Sequence, residues 1–579
     1  MRAVEFILDR AVSSVGVGGV NESANTKRDT VTRREWTIAA SISFGMTALL
    51  QLPYMLGYWT APAGTAYSGL LVHLSDATYL VAIQLGFHGE WLYRIRFTSE
   101  PHVGAFLYTF YLALGHVARL LNLDAVTMWH VSLAVTSFVL FLVVFGFIAH
   151  FIPHPNWRLV AFFIALFGAG YDVFQLPFET WDPTSGVPLD LRMPEAHVFY
   201  SALTYPHYNA AIVLILASFW CALRALSEHL ARARWIGLCL VGAMASAGVA
   251  MVYPFLVLLT AGVLGVFYIF LALRARKILW RAGIFLVLMF LPLVPLFLYY
   301  LNVLATNPVI RAWNEQVQTY SPNPIHYLLT YGVYLALALW NLRRVGFGKT
   351  FPERRALLWI WVGVVAVLLY APLNAQRRFV EGVHVPLAIL ATIGLYETAL
   401  PRLAQTRWFQ NLAQRPNYSV AGLKNFFTVV VLAFVSLSSI FLYVSALLTM
   451  TVQQPYPLFR PQGELAAMDW LRANADREAL VLSSYGSGAW LPYRADTRAY
   501  IGQYYETNHF SDKLKQVAKF FDARTEDAAR IELLRAQKID FVFFGRGERE
   551  VGTFDPARAA YLTRVFENVD AQVYAVQLP

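Results

Sequence analysis

Apolar runs of about 18 residues or more recur along the chain, each long enough to cross a bilayer as a helix. Inside a bilayer every backbone N–H and C=O must be satisfied by protein, so repeated runs of this kind confine the chain to a bundle of membrane helices. Composition agrees, with 57% hydrophobic and only 14% charged residues, whereas an ordinary soluble domain carries about 25% charged residues. Mean hydropathy is +0.47. About eleven spans are expected, at 36–58, 126–150, 157–174, 207–226, 235–252, 255–273, 282–301, 325–341, 356–371, 384–400 and 426–450. The opening MRAVEFILDR carries Glu5, Asp9 and Arg10 and no apolar stretch ahead of a cleavage site, so it does not read as a cleaved signal peptide. Cys221 and Cys239 both fall inside apolar runs and read as small buried hydrophobes, not as a disulfide or a metal site.

The basic residues fix an expected orientation. Arg33 and Arg34, Arg232 and Arg234, Arg274 to Arg281, Arg343 and Arg344, Arg354 and Arg355, and Arg402 to Lys424 all fall on one side if the spans are eleven. That side is expected to be cytoplasmic. The expected organisation is then a cytoplasmic N-terminal segment, 1–35, and a multispan domain, 36–454, with long outward loops at 59–125, 175–206 and 302–324. A soluble tail, 455–579, follows outside. In the tail acidic and basic residues nearly balance, so the net charge of +10 resides in the membrane part. Its short apolar strands, in EALVLSS, IDFVFFG and QVYAVQL, alternate with helical stretches and read as a small α/β domain. SSYGSG lacks the lysine and spacing of a phosphate loop.

Against that orientation, NAQRRFVEGVHVPLAIL places Arg377 and Arg378 on the outward face, with Glu381 just behind. The pair could snorkel to lipid headgroups. The sharper reading is an anion site, because the planar guanidinium fork suits phosphate and charge beside the membrane is costly enough to imply a function. The first outward loop supplies Asp76, in SDATYL, at the start of a helical pattern where a carboxylate commonly caps, and His88 and Glu90 further on. Its stretch VGAFLYTFYLALGHVARLLNLD reads as a helix lying in the outer leaflet. The second outward loop offers Glu179, Asp182, Asp190, Arg192, Glu195, His197 and His207. Such residues could ligate a divalent cation, Mg or Mn, but their spacing matches no tight metal motif. The third loop carries Trp313, Asn314, Glu315 and Tyr320 among prolines, suited to a sugar and equally to an interfacial aromatic belt.

Taken in order along nearly the whole chain, these features resemble the GT-C superfamily of membrane glycosyltransferases, in particular bacterial protein-mannosyltransferase-like and aminoarabinose-transferase-like members. The resemblance rests on the acid just past the first span, SDATYL, the acidic second loop, the arginines before a late span and the outer α/β domain. It implies a polyprenyl-phosphate-linked sugar as donor, an extracytoplasmic acceptor (glycan, lipid or protein), membrane lipids as surroundings and no nucleic acid. It further implies that Asp76 and Glu195 are catalytic, with Asp76 the base, and that Arg377 and Arg378 bind the donor phosphate. His88, Glu90, Asp182, His207, Trp313 and Glu381 are the candidates for substrate contact. Direct attack would invert the anomeric centre. Many members carry two neighbouring acids in the first loop, whereas here Ala77 and Thr78 follow Asp76, which argues against a metal-binding acid pair. The rival readings are a lipid or glycan flippase or transporter, a cell-envelope polysaccharide polymerase or ligase, and a membrane scaffold. No internal repeat of the transporter kind is evident.

Overall fold

The computed structural model describes residues 31–71, 76–181, 188–226, 230–346, 348 and 351–579. Among them nine helices are long and apolar enough to cross a membrane: α1 (Arg33–Trp59), then Ala125–Phe151, Pro155–Leu176, Pro206–Ala225, Arg232–Val252, Leu256–Ala275, Trp280–Thr306, Pro324–Val345 and His384–Ala404. The protein is a multi-pass integral membrane protein. Val420–Val435 and Leu437–Gln453 form a bent pair at 46° and bring the count to ten if taken as one span. At their junction the Ser436 hydroxyl donates to the Leu432 carbonyl at 2.8 Å, a back-bond that bends helices. The ninth expected span, 356–371, is helical only over Glu353–Leu368. Its 16 residues reach about 24 Å, short of a hydrocarbon core of about 30 Å. Pro372 lies just beyond and cannot continue a helix. By the length criterion, then, the eleven expected spans become nine or ten.

The first loop is built, not slack. Strand β1 (Thr65–Tyr67) is followed by helices α2 (Ala77–Phe87) and α3 (Thr109–Leu121), which lie against each other, before α4 (Ala125–Phe151). Two glycines permit that approach. A Cβ on Gly86 would sit 2.1 Å from the Leu112 carbonyl oxygen, and one on Gly115 would sit 2.1 Å from that of Ile83. The stretch expected as a lone surface helix is therefore half of a helical hairpin. Its outer end presents Leu120 and Leu121, 84% and 58% exposed. Asp124 caps α4, accepting from the N–H groups of Val126 and Thr127 at 3.0 and 3.1 Å.

In the tail, β2 (Phe459–Pro461) pairs antiparallel with β1. Then β3 (Leu480–Leu482), β4 (Arg498–Ala499), β5 (Phe541–Phe544), β6 (Leu562–Glu567) and β7 (Gln572–Val576) form one sheet in the order β4-β3-β5-β7-β6. β3 is parallel to β4 and β5, while β7 runs antiparallel to β5 and β6. One hydrophobic core continues from α2 and α3 (Leu80, Ile83, Leu112) into the tail (Met468, Trp490, Phe543). Hydrogen bonds sew the same seam. Arg96 donates to the Arg477 carbonyl at 2.7 Å, the Ala499 N–H to the Arg96 carbonyl at 2.8 Å, and Thr507 to the Phe97 carbonyl at 2.9 Å. From the third loop, the Gln316 amide donates to the carbonyls of Tyr504 and Thr507 at 2.7 and 3.0 Å. The tail is thus fixed over the loops that carry the candidate site.

Candidate active site

Asp76 occupies the N-cap position of α2, yet its backbone is already helical (φ −69°, ψ −16°) and its side chain makes no capping bond. Its carboxylate is buried and accepts a hydrogen bond from the Tyr205 hydroxyl at 2.9 Å. Capping therefore does not explain it. Tyr205 immediately precedes Pro206, which opens helix α5 (Pro206–Ala225) in the first-turn position that suits proline. The same first turn of α5 presents His207 and Tyr208 to this region. His207 hydrogen-bonds the hydroxyl of Tyr253 at 2.6 Å through Nε2 and that of Tyr111 through Nδ1. Tyr79, one turn into α2, stacks on Tyr111 with centroids 4.6 Å apart and meets Tyr205 edge-on at 6.0 Å. Burial, outweighing the nearby Arg378 guanidinium, pushes the Tyr79 phenol up, so it stays neutral.

The arginines sit on a short turn, Gln376–Val380, pinned to the third loop where the Arg377 N–H bonds the Thr319 carbonyl at 3.0 Å. Both face Glu195, a buried carboxylate on the turn Pro194–Ala196 of the second loop. Arg378 Nη1 lies 3.4 Å from Glu195 Oε1, and Arg377 Nε lies 3.7 Å from it. Arg378 also donates to the Tyr208 hydroxyl and stands 5.7 Å above that ring. Burial alone would depress Arg378, but the Glu195 carboxylate beside it, first among its neighbours, outweighs that, so its basicity is raised. Glu381 is buried one turn on. Its own burial, then the Glu195 charge, push its carboxyl well up against the opposing pull of Arg378. Glu195 is thus the direct ion partner of both arginines. The arginine side chains keep 18% and 22% exposure, enough for a ligand to reach them.

Asp76, Glu195, Arg377, Arg378, His207 and Glu381 therefore share one region, linked from Arg378 through Tyr208 and Tyr205 to Asp76. His88 and Glu90 are placed elsewhere: His88 Nε2 lies 3.4 Å from Asp496 and Glu90 lies 3.7 Å from Arg477, both contacts to the tail. Trp313 stands behind the tyrosines, edge-on to Tyr108 at 6.4 Å. Asp182 lies outside the described residues. Asp190 and His197 form a separate buried cluster, with His197 Nε2 at 3.0 Å from Asp190, and Asp190 and Asp172 each accepting the other's N–H at 3.2 Å. Thr330 donates to Asp172 at 2.8 Å, which ties the end of helix Pro155–Leu176 to helix Pro324–Val345. Among the described residues, no three His, Cys, Asp or Glu side chains are arranged to hold a metal ion. Asp76 faces a tyrosine hydroxyl and Glu195 faces two arginines. The sequence reading missed the tyrosines. Tyr205 and Tyr208 bracket His207 in YPHYN, the signal that could have pointed to them.

No protein-family model matches the chain, and no curated protein matches it. Solved structures do. One is ArnT from Cupriavidus metallidurans bound to undecaprenyl phosphate, at 12% identity and TM-score 0.50, covering 92% of this chain and 97% of that one. Another is the oligosaccharyltransferase of Archaeoglobus fulgidus in complex with Zn and sulfate, at 12% identity and TM-score 0.51, covering 93% and 74%. A third is the arabinofuranosyltransferase AftD from Mycobacteria, at 14% identity and TM-score 0.53, with 95% of this chain matching 40% of that one. At such identities the likeness establishes the fold. The chain has the GT-C fold, a multispan helical membrane region with a small C-terminal sheet region.

Proposed function

We propose that the protein is a membrane glycosyltransferase that moves a sugar from a polyprenyl-phosphate donor to an acceptor hydroxyl on the extracytoplasmic side, with inversion. The observation that carries this reading is the arginine pair held by buried Glu195, joined through Tyr208 and Tyr205 to a buried carboxylate with no capping role. In the reaction the acceptor oxygen attacks the anomeric carbon while its proton passes to Asp76. The bond from that carbon to the phosphate oxygen breaks, and its electron pair leaves with the polyprenyl phosphate. A carboxylate is a competent general base, and the transition state has oxocarbenium character. Arg377 and Arg378 meet the charge that develops on the departing phosphate. Glu195 positions both guanidinium groups without neutralising them fully. Tyr205 orients Asp76 by its hydrogen bond. The exposed apolar end of α3, Leu120 and Leu121, suits contact with lipid.

The test is transfer of labelled sugar from polyprenyl-phosphate donors by the purified protein in nanodiscs. Turnover that Asp76→Asn abolishes supports the reading. Downhill movement of lipid-linked sugar across the bilayer with no transfer product would establish a flippase instead.

A further inference from the structure

His207 takes no part in the reaction proposed above, yet it is buried and both of its ring nitrogens are occupied. Nδ1 meets the hydroxyl of Tyr111 on α3. Nε2 meets that of Tyr253, the residue that follows helix Arg232–Val252, at 2.6 Å. A neutral imidazole has one N–H and one bare nitrogen, so it accepts from one hydroxyl and donates to the other. Tyr111 decides the direction. It is only 2% exposed, and among the described residues His207 Nδ1 is the one acceptor its hydroxyl reaches. Were the proton on Nδ1, the Tyr111 O–H would be a buried donor with no acceptor, which is costly. With Tyr111 as donor, its oxygen is free to accept. The His207 backbone N–H, left without a helical partner in the first turn of α5, faces that oxygen. Both observations set one polarity: Tyr111 donates to Nδ1, and Nε2–H donates to the Tyr253 oxygen.

The Tyr253 proton is then directed away from His207. Within its reach lies the hydroxyl of Tyr79 on α2, whose ring is 5.0 Å from that of His207. Accepting from Tyr253, Tyr79 keeps its own O–H to donate elsewhere. Its ring has little freedom, because it stacks on Tyr111 at 4.6 Å and on Trp129 at 5.8 Å. It also stands between the two ends of the site. Arg378 and then Asp76 are the charges that act most on its phenol, and it meets Tyr205, the partner of Asp76, at 6.0 Å. The Tyr253 ring packs 6.0 Å from Tyr208, whose hydroxyl takes the Arg378 bond. Tyr79 and Tyr253 are only partly buried, unlike Tyr111 and His207. With phosphate at Arg378 and the acceptor at Asp76, the group that lies between them is the sugar being moved.

We infer that Tyr111, His207, Tyr253 and Tyr79 form a hydrogen-bond relay of fixed polarity, and that Tyr79, at its end, donates to a hydroxyl oxygen of the donor's sugar. This rests on the glycosyltransferase reading above. Tyr79 touches the substrate, while His207 and Tyr253 are positioning residues that act through it. The test uses the full chain in nanodiscs and two measurements: transfer kinetics with the labelled donor that supports turnover, and binding of decaprenyl phosphate, which carries no sugar. Tyr79→Phe keeps the stacked ring and is expected to lower kcat/KM about tenfold while decaprenyl phosphate binds as before. His207→Leu should lower kcat/KM to a similar extent alone and add nothing in the Tyr79→Phe background, since a relay is non-additive. His207→Gln, whose amide still accepts at one atom and donates at another, should restore part of the loss. Where His207→Leu does not fold, Tyr253→Phe breaks the same link and replaces it in the cycle. Additive losses, a His207→Gln as poor as His207→Leu, or weakened decaprenyl phosphate binding in Tyr79→Phe would overturn the inference. If the unaltered protein transfers no sugar from any polyprenyl-phosphate donor, the glycosyltransferase reading fails and the relay's role with it. If it transfers sugar and the losses add, only the relay fails.

Discussion

Asp76 is buried at a helix start without capping it, so an isosteric amide tests its chemistry more cleanly than its packing. Asp76→Asn keeps an acceptor for the Tyr205 hydroxyl and removes the carboxylate proposed as the base. Turnover is expected to fall roughly 100-fold or more with thermal stability unchanged, and loss of stability with retained turnover would make the residue structural. At the arginines, charge and fork geometry separate. Arg378→Lys keeps the charge but not the planar fork, so a partial defect is expected. Arg378→Ala removes a charged contact of about 1.5–3 kcal/mol, or roughly ten- to hundredfold in kcat/KM. Glu195→Gln should act differently, lowering kcat through misplaced guanidinium groups while donor KM holds or falls, because cationic charge is left unanswered. Equal rises in donor KM for Glu195→Gln and Arg378→Ala would show that Glu195 does not act through the arginines. These residues were legible in the sequence because a charge in an apolar chain is costly and therefore conspicuous. The tyrosines around them were not, since tyrosine is equally at home in a membrane belt, a core or a site.

At the scale of elements, the α2–α3 hairpin depends on backbone contact at Gly86 and Gly115, where a Cβ would lie 2.1 Å from a carbonyl oxygen of the opposite helix. Gly115→Ala is expected to cost about 1–3 kcal/mol through overpacking and to displace Asp76 at the start of α2. Gly45→Ala and Gly237→Ala, with nothing within 4 Å of the added Cβ, are the matched controls, and thermal unfolding of the purified protein reads the difference. An equal midpoint for Gly115→Ala and the controls would show that the hairpin tolerates separation. Apolar run length made the long helices legible, and continuous apolar runs made β3, β5 and β7 legible. β4 has only two residues, and β6 lies at the sheet edge with mostly exposed residues, so neither carries a pattern. β1 and β2 pair across most of the chain, a contact that no local sequence pattern encodes. The hairpin stretch looked like a lone surface helix because its partner face is made by a glycine, which hydropathy does not register.

At the scale of the molecule, the docked tail constrains topology. The tail bonds to the first loop through Arg96 and Phe97 and to the third through Gln316, so the tail and those loops occupy one side. Since α1 leads from Arg33 into the first loop, an odd number of crossings is expected, with Glu353–Leu368, though short, returning the chain to the face where Arg377 bonds Thr319. A reporter fused after Pro579 is expected to behave as exported, and activity of a cytosol-only reporter there would invert the orientation and with it the enzyme reading. The same seam carries a titratable lock. Glu506 of the tail is buried, accepts from the Tyr93 hydroxyl of the first loop at 2.6 Å, and has Tyr108 and Thr78 beside it. Burial, against those three hydroxyls, pushes its carboxyl from 4.5 up to about 7. A folded-state pKa above the unfolded one means that the folded protein holds a proton the unfolded chain has released. Stability from this group is therefore full below pH 4.5, declines as pH rises towards 7 and is absent above it, a difference of a few kcal/mol at most. The tail should consequently unfold from the membrane region at a lower temperature at pH 8 than at pH 6. Glu506→Gln, which is neutral throughout and keeps an acceptor for Tyr93, should abolish that difference and raise the midpoint at pH 8. An identical pH slope in Glu506→Gln would place the sensitivity elsewhere. Because Thr78 lies two residues from Asp76, loosening of this lock at high pH should also slow transfer in the wild-type protein more than in Glu506→Gln, which a pH profile of turnover would register.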